Sequence, residues 1–257
     1  MGNASQGSLN SLDEGLRVRH IANFPLITCK PQDDAESLFS RPDYEDLDQL
    51  PIEDENRIVG IVERSNPKVR RPLDDSVLVA ADNPLSQFIR TIHQQPYRLV
   101  VDGTAIRGIV TWSDLLKLPV TVLAFSLVAQ LELAMNSRIK EKYGLENDWL
   151  ELLDQDEKKR ILNRLRKLQR ENLALSLLEL ADFSHKAKVL RFLLCAKGGN
   201  FERELESLKS LRDEIAHVKE IARGVEDLKR FVERIEIAEL WLKALESEQA
   251  VSAAARG

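Results

Sequence analysis

The sequence predicts an α+β protein in two parts, a first half of short β-α-β-β-α units and an all-helical second half. Three observations carry this expectation. All nine prolines lie between Pro25 and Pro119, and none follows. Through residue 119 the chain has 13 basic and 18 acidic side chains, whereas residues 120–257 have 24 of each. Within 20–118 one order of apolar runs and turn signals occurs twice. Proline removes a backbone donor and interrupts helices, so its abrupt disappearance marks a change of architecture. A boundary near Pro119 leaves a loose tail at 1–19, rich in Gly, Ser and Asn, a module at 20–118 and a helical domain at 119–257.

In the first copy of the repeat, "PLITCK", "QLPIED" and "RIVGIVERS" read as strands, with a short helix at "DDAESLFS" after the first. Its second helix is abbreviated and replaced by the acidic "RPDYEDLDQ". The second copy is cleaner: "SVLVA", the amphipathic "PLSQFIRTIHQQ", "YRLVVDG" and "AIRGIVTWSDLLKLP". There Leu85, Phe88, Ile89 and Ile92 follow the i, i+3, i+4, i+7 spacing of a helix that buries one face.

After Pro119, which suits a first helical turn, helices are expected at about 119–143, 147–172, 174–197, 200–222 and 225–248. The longest apolar run, residues 120–135, contains Ser126, Gln130 and Glu132. It falls short of the ~20 apolar residues of a membrane span and reads as a core helix. The helix near 147 opens acidic and turns basic, an order that complements the helix dipole. Its later part, "KKRILNRLRKLQR", has seven basic residues and no acid. Lys159, Arg160, Arg164 and Lys167 are therefore either a dipole-matched surface or candidate contacts to RNA phosphates.

A net charge of −5 argues against a dedicated duplex-DNA binder. Cys29 and Cys195 have no metal-type spacing and read as reduced, buried thiols. With no apolar signal segment visible near the start, a cytoplasmic protein is expected, with no metal and no membrane partner.

"GIVTWSD", Gly108 to Asp114, resembles the closing motif of a CBS-domain pair (a Bateman module), Gly-hydrophobic-x-Thr-x-x-Asp. A hydroxyl and backbone amides at a strand-to-helix turn suit phosphate, and a carboxylate three residues on can accept both hydroxyls of a ribose. The resemblance implies nucleotide binding through Gly108, Thr111, Ser113 and Asp114, with an adenine nucleotide (AMP, ADP, ATP or a relative) as regulatory ligand. The other reading of Thr111 and Asp114 is a cap on the helix that follows. The first copy, "GIVERSN", has Glu63 and Asn66 where Thr and Asp are expected. A carboxylate repels phosphate, so one nucleotide site is expected and not two.

In "LRDEIAHVK", Leu208, Leu211, Ile215, Val218 and Ala222 form a narrow apolar stripe at ~100° per residue. Arg212 and His217 flank the opposite face. This segment resembles the HEPN family, all-helical and often dimeric domains with Arg, a polar residue, a short spacer and His. The resemblance implies a helical bundle and a metal-independent endoribonuclease that needs no cofactor. His217 would take the proton of a ribose 2′-OH. Arg212 would stabilise charge on the phosphorane, and Asp213 would support them. A homodimer would bring two such pairs into one cleft. The combined expectation is an RNase gated by a nucleotide; the alternative is a non-catalytic nucleotide sensor whose helices bind RNA or a partner protein.

Overall fold

The computed structural model describes residues 15–144, 147–171, 176–193, 199–216 and 225–254. They form two compact units, one ending at Val120 and the other starting at Thr121.

The first unit holds α1 (Ala35–Phe39), β1 (Gln49–Asp54), β2 (Arg57–Glu63), β3 (Asn66–Pro72), β4 (Leu78–Ala80), α2 (Leu85–Thr91), β5 (Tyr97–Asp102) and β6 (Ala105–Thr111). Two three-stranded sheets result, β1-β2-β3 and β4-β5-β6. The repeat is visible in the registers. Ile52 lies opposite Gly60, as Val100 lies opposite Gly108, and each pairing slips by a bulge at the next residue. β4 runs parallel to β5, and its counterpart in the first repeat is a single parallel bridge between Cys29 and Ile52. Apolar residues of β1 and β2 pack with Cys29, Ala35 and Phe39, all at most 6% exposed. Burial raises the Cys29 thiol above its ordinary pKa, which keeps it a neutral apolar group.

Two sequence expectations need correction here. The first repeat has no helix after β2; a two-residue turn leads directly into β3, antiparallel to β2. The acidic "RPDYEDLDQ" lies earlier, between α1 and β1, and holds only a 3₁₀ turn at Pro42–Tyr44. Residues 15–19 are also not loose. Val18 and Ile21 are fully buried, Val18–His20 forms a 3₁₀ turn, and Arg17 bridges to Pro84.

The turn after β2 is pinned by Arg64. Its guanidinium donates to the carbonyls of Leu47 (2.9 Å), Phe39 (3.0 Å), Tyr44 (2.6 Å) and Glu45 (2.8 Å). It also stacks 4.8 Å from the centroid of the Phe39 ring.

The second unit comprises α3 (Leu118–Tyr143), whose first turn precedes the boundary, α4 (Gln155–Arg170), α5 (Leu177–Leu180), α6 (Phe183–Leu193), α7 (Gly199–Ala216) and α8 (Val225–Ala254). α3 is long and apolar enough to cross a membrane by length and composition, and half of its most apolar window is buried inside the protein. The helices expected at 147–172 and 174–197 are each interrupted. A 3₁₀ turn at Asp148–Leu152 ends before Asp154, whose carboxylate caps α4 by accepting the Glu157 amide at 2.9 Å. Glu157 returns the bond to the Asp154 amide at 3.1 Å, a reciprocal box that fixes the start of α4. α5 and α6 part at Asp182, whose amide donates to His185 Nδ1 at 3.1 Å. Lys186, 3% exposed, ties α6 to α3 through Glu132 at 2.9 Å. Trp241 ties α8 to α7 through Glu204 at 2.7 Å.

Candidate functional site

Thr111 ends β6, and the chain turns into a 3₁₀ segment at Trp112–Leu116. Asp114 reaches back and accepts the Thr111 amide at 2.6 Å and the Thr111 hydroxyl at 3.1 Å. The Ser113 hydroxyl lies 2.8 Å from that of Thr111. The structure thus brings Thr111, Ser113 and Asp114 into one cluster. It adds two partners that spacing along the chain does not reveal. Asn23 donates its side-chain amide to both Asp114 oxygens at 3.0 and 3.2 Å. Lys117 forms an ion pair with Asp114 at 2.8 Å and also donates to the Asn23 side-chain oxygen at 2.7 Å.

Asp114 is 3% exposed. A carboxylate offers about four lone-pair positions, and here Thr111, Asn23 and Lys117 occupy them. In this conformation Asp114 acts as a cap and a latch. A ribose diol reaches it only if Asn23 and Lys117 let go.

The latch exists because the chain ahead of the first repeat lies along β6. Asn23 and Ile109 exchange backbone bonds at 2.8 and 3.2 Å, and Leu26 donates to Arg107 at 3.0 Å. Gly108 makes this possible: a Cβ there would stand 2.6 Å from the Phe24 ring and 2.8 Å from the Asn23 carbonyl oxygen. β3 bears the same relation to the first repeat, since a Cβ on Gly60 would meet the Arg71 carbonyl oxygen at 2.8 Å. Each repeat is therefore preceded by a segment that pairs with the other repeat. This is why "NPKVRRP" is a strand and not a helix.

Glu63, the counterpart of Thr111, is held by Arg71 at 3.0 Å and by the Tyr97 hydroxyl at 3.2 Å. Burial and then the Glu63 charge push the Tyr97 phenol up to about 12, so it stays a neutral donor to that carboxylate. The position is filled by protein groups of both signs.

Sequence reasoning missed a cleft of about 500 Å³ lined by Phe24, Pro25, Leu26, Thr28, Glu53, Asn56, Ile58, Ile106 and Arg107. Its volume lies within the range of small-molecule sites. Phe24, Leu26, Ile58 and Ile106 supply apolar surface. Hydrogen bonds from Lys30 at 2.9 Å and Thr28 at 3.1 Å hold the Glu53 carboxyl below its ordinary pKa. Arg107 is exposed, and its guanidinium has no carboxylate partner among the described residues. The cleft thus offers a flat apolar wall, fixed acceptors at Glu53 and a free cation. Four separate stretches build it, so no short motif points to it.

In the helical unit, Leu208 and Leu211 are fully buried and Ile215 is 5% exposed, while Arg212 and Asp213 are exposed. This is the two-faced pattern expected for α7. His217 lies outside the described residues, as do Val218, Ala222 and Cys195. Lys159, Arg160, Arg164 and Lys167 are all exposed on α4. Arg164 is committed to Asp182 at 2.8 Å and reaches the Leu180 carbonyl at 3.3 Å. Burial raises the Asp182 carboxyl, but Arg164, with His185 and Arg212 acting through space, holds it below its ordinary value. Asp182 is therefore paired with Arg164, and Arg212 acts on it only through space. His185 beside it is 5% exposed, and burial pushes its pKa down against the pull of Asp182 and Glu157. Among the described residues no cluster of three or more His, Cys, Asp or Glu is placed to hold a metal.

The model of the CBS domain family matches residues 69–121. No curated protein matches the chain. Among solved structures, the chain is similar to the CBS domain pair of protein MJ0100 in complex with 5′-methylthioadenosine and S-adenosyl-L-methionine. That likeness has 20% identity and a TM-score of 0.34, over 39% of this chain and 96% of that one. The CBS domain of the bacterial CNNM/CorC family Mg²⁺ transporter is 16% identical, over 44% of this chain and 81% of that one, with a TM-score of 0.33. The CBS domain of a CBS-domain-containing membrane protein from Sphaerobacter thermophilus is 18% identical, over 45% of this chain and 96% of that one, with a TM-score of 0.35. The chain thus carries a CBS domain over 69–121, followed by a mostly helical region.

Proposed function

We propose that this protein is a ligand-responsive regulator, in which an adenosine-containing molecule bound to the first unit controls the activity of the helical unit. The observation that carries the reading is the cleft at Phe24, Glu53 and Arg107, in a unit with a CBS-family match over 69–121. A purine would lie against Phe24 and Ile106, with its exocyclic amine toward the Glu53 carboxylate. An anionic group would meet Arg107 in a charge-assisted bond.

Control would run through the latch. Asn23 is adjacent to Phe24 in the cleft, and Lys117 is adjacent to Leu118, the first residue of α3. A ligand that shifts the 23–26 segment alters the bonds holding Asp114 and Lys117. It thereby biases the start of α3, provided that it binds the two arrangements with different affinity.

The effector activity we propose is metal-independent RNA cleavage at Arg212 and His217, after the HEPN-like motif. The support is the exposed placement of Arg212 and Asp213 opposite a buried Leu208–Leu211–Ile215 stripe, with exposed basic residues on α4. His217 would accept the 2′-OH proton, the 2′-oxygen would attack phosphorus, and the P–O5′ bond would break. Products would be a 2′,3′-cyclic phosphate and a 5′-OH that takes its proton from the medium or from protonated His217. With labelled RNA in EDTA, wild type is expected to cut and His217→Ala to lose at least ~10³-fold. Added AMP or S-adenosyl-L-methionine is expected to change the wild-type rate. Equal cutting by both proteins excludes this site. No cutting under any condition leaves the helices as a partner-binding effector.

A further inference from the structure

We infer that Thr28 and Lys30 set the base specificity of the cleft. They take up one oxygen of Glu53, and the other, a single acceptor, receives the 6-amino group of adenine and turns guanine away. The inference rests on the reading of the cleft as the ligand site and goes beyond it, to the residues that choose the base. Both donors reach the same atom. The Thr28 hydroxyl donates to Glu53 Oε2 at 3.1 Å, and the Lys30 ammonium donates to it at 2.9 Å. Oε1 has no hydrogen-bond or ion-pair partner among the described residues. Each carboxylate oxygen offers about two lone-pair positions, so Oε2 is filled and Oε1 is open. The Lys30 and Thr28 bonds also hold the carboxyl below its ordinary pKa, so it stays ionised and donates nothing. The backbone keeps the three side chains together: the Cys29 amide donates to the Pro51 carbonyl at 2.9 Å, and the Glu53 amide to the Cys29 carbonyl at 2.8 Å.

The second repeat is an internal comparison. Val79 pairs with Val100 as Cys29 bridges to Ile52, so Leu78, Ala80 and Val101 occupy the places of Thr28, Lys30 and Glu53. By the same registers Val59 stands where Arg107 does. The fold is built there with apolar side chains, so it does not require the polar triad. Thr28, Glu53 and Arg107 all line the cleft. A base is read by what its edge donates. A carboxylate with both oxygens open suits guanine, whose ring N–H and 2-amino group form two parallel bonds to it. With Oε2 filled, guanine leaves one of those donors unpaired or sets its 6-oxo group against a carboxylate. Adenine offers one exocyclic amine, and one acceptor satisfies it. The Glu53 side chain is 28% exposed, so water keeps the discrimination well below the ~10⁴-fold that buried polar sites reach.

The test is titration calorimetry of AMP and GMP on the full-length protein and two variants. It is read as the ratio of the two affinities within each protein, in which a general loss of binding cancels. Wild type is expected to bind AMP at least about tenfold more tightly than GMP. In Glu53→Gln the two donors hold the side-chain oxygen, which turns its NH₂ toward the cleft. An acceptor becomes a donor, and the preference is expected to move at least about tenfold toward GMP. In Thr28→Val combined with Lys30→Met both carboxylate oxygens are open, and the preference is expected to move the same way. Equal affinity of wild type for the two nucleotides would overturn the inference and leave the cleft reading standing. So would a Glu53→Gln ratio like that of wild type. An unchanged ratio in the Thr28→Val and Lys30→Met protein would overturn the role of those two residues. Binding of neither nucleotide to wild type would overturn the cleft reading, and this inference with it.

Discussion

Arg64→Ala is expected to destabilise the first unit by about 3 kcal/mol, the largest loss from any single side chain outside the apolar core. The guanidinium satisfies the carbonyls of Phe39, Leu47, Tyr44 and Glu45 at once. A hydrogen bond from a charged donor contributes about 1.5–3 kcal/mol, and stranded buried acceptors add a penalty. The four bonds share one cation that is about one-third exposed, so water replaces part of what is lost and the sum falls far short of four full bonds. Arg64→Lys should recover only a fraction, since an ammonium lacks the planar fork. Urea denaturation checks this. The midpoint should fall with an unchanged slope, and a loss under ~1 kcal/mol would mean that the 39–47 loop holds itself.

Gly108→Ala is expected to cost about 2–3 kcal/mol, the upper part of the range of about 1–3 kcal/mol for overpacking. The new methyl would meet the Phe24 ring at 2.6 Å and the Asn23 carbonyl oxygen at 2.8 Å. A ring can swing aside, but that carbonyl is bound to the Ile109 amide. The 23–26 segment must therefore lift from β6. Lifting removes Asn23 from Asp114, so faster hydrogen exchange at the Asn23 and Leu26 amides should accompany the lower midpoint. Unchanged exchange at both amides would show that the segment accommodates a methyl and that the latch is not seated by Gly108.

The parts of this molecule that were legible in the sequence are those whose signal is local. β5, β6 and α2 combine β-branched or amphipathic runs with turn residues, and a buried face writes its period into the chain. α7 is similar, with Leu208, Leu211 and Ile215 spaced for one buried stripe. β3 escaped notice because it is an exposed edge strand. "NPKVRRP" has two prolines, three cations and one apolar residue, Val69, itself 46% exposed. Prolines and charges of that kind blunt an edge, which erases the alternation that identifies a strand. The breaks at Asp154 and Asp182 depend on capping bonds, visible in the sequence only as one acid among several.

The candidate site divides in the same way. The Thr111–Asp114 cluster is a motif four residues long and could be read directly. Its Asn23 and Lys117 partners, and the Asn23–Ile109 pairing that brings them there, are contacts across the fold. The cleft is assembled from the 24–28 segment, β1, β2 and β6, and no one of these carries its signature. On α7 the apolar stripe could be read, and Arg212 and Asp213 lie exposed on the same helix. The pairing of Arg164 with Asp182 required the fold.

The central claim is that the first unit binds an adenosine-containing ligand in the cleft that Arg107 borders. Titration calorimetry with the full-length protein tests it most directly, comparing AMP and adenosine on wild type and Arg107→Glu. The account predicts saturable binding of AMP to wild type. It also predicts an affinity for AMP at least about tenfold lower in Arg107→Glu, equivalent to about 1.4 kcal/mol or more, with adenosine much less affected. Absence of saturable binding by either compound, or equal affinity of both proteins for AMP, would contradict it.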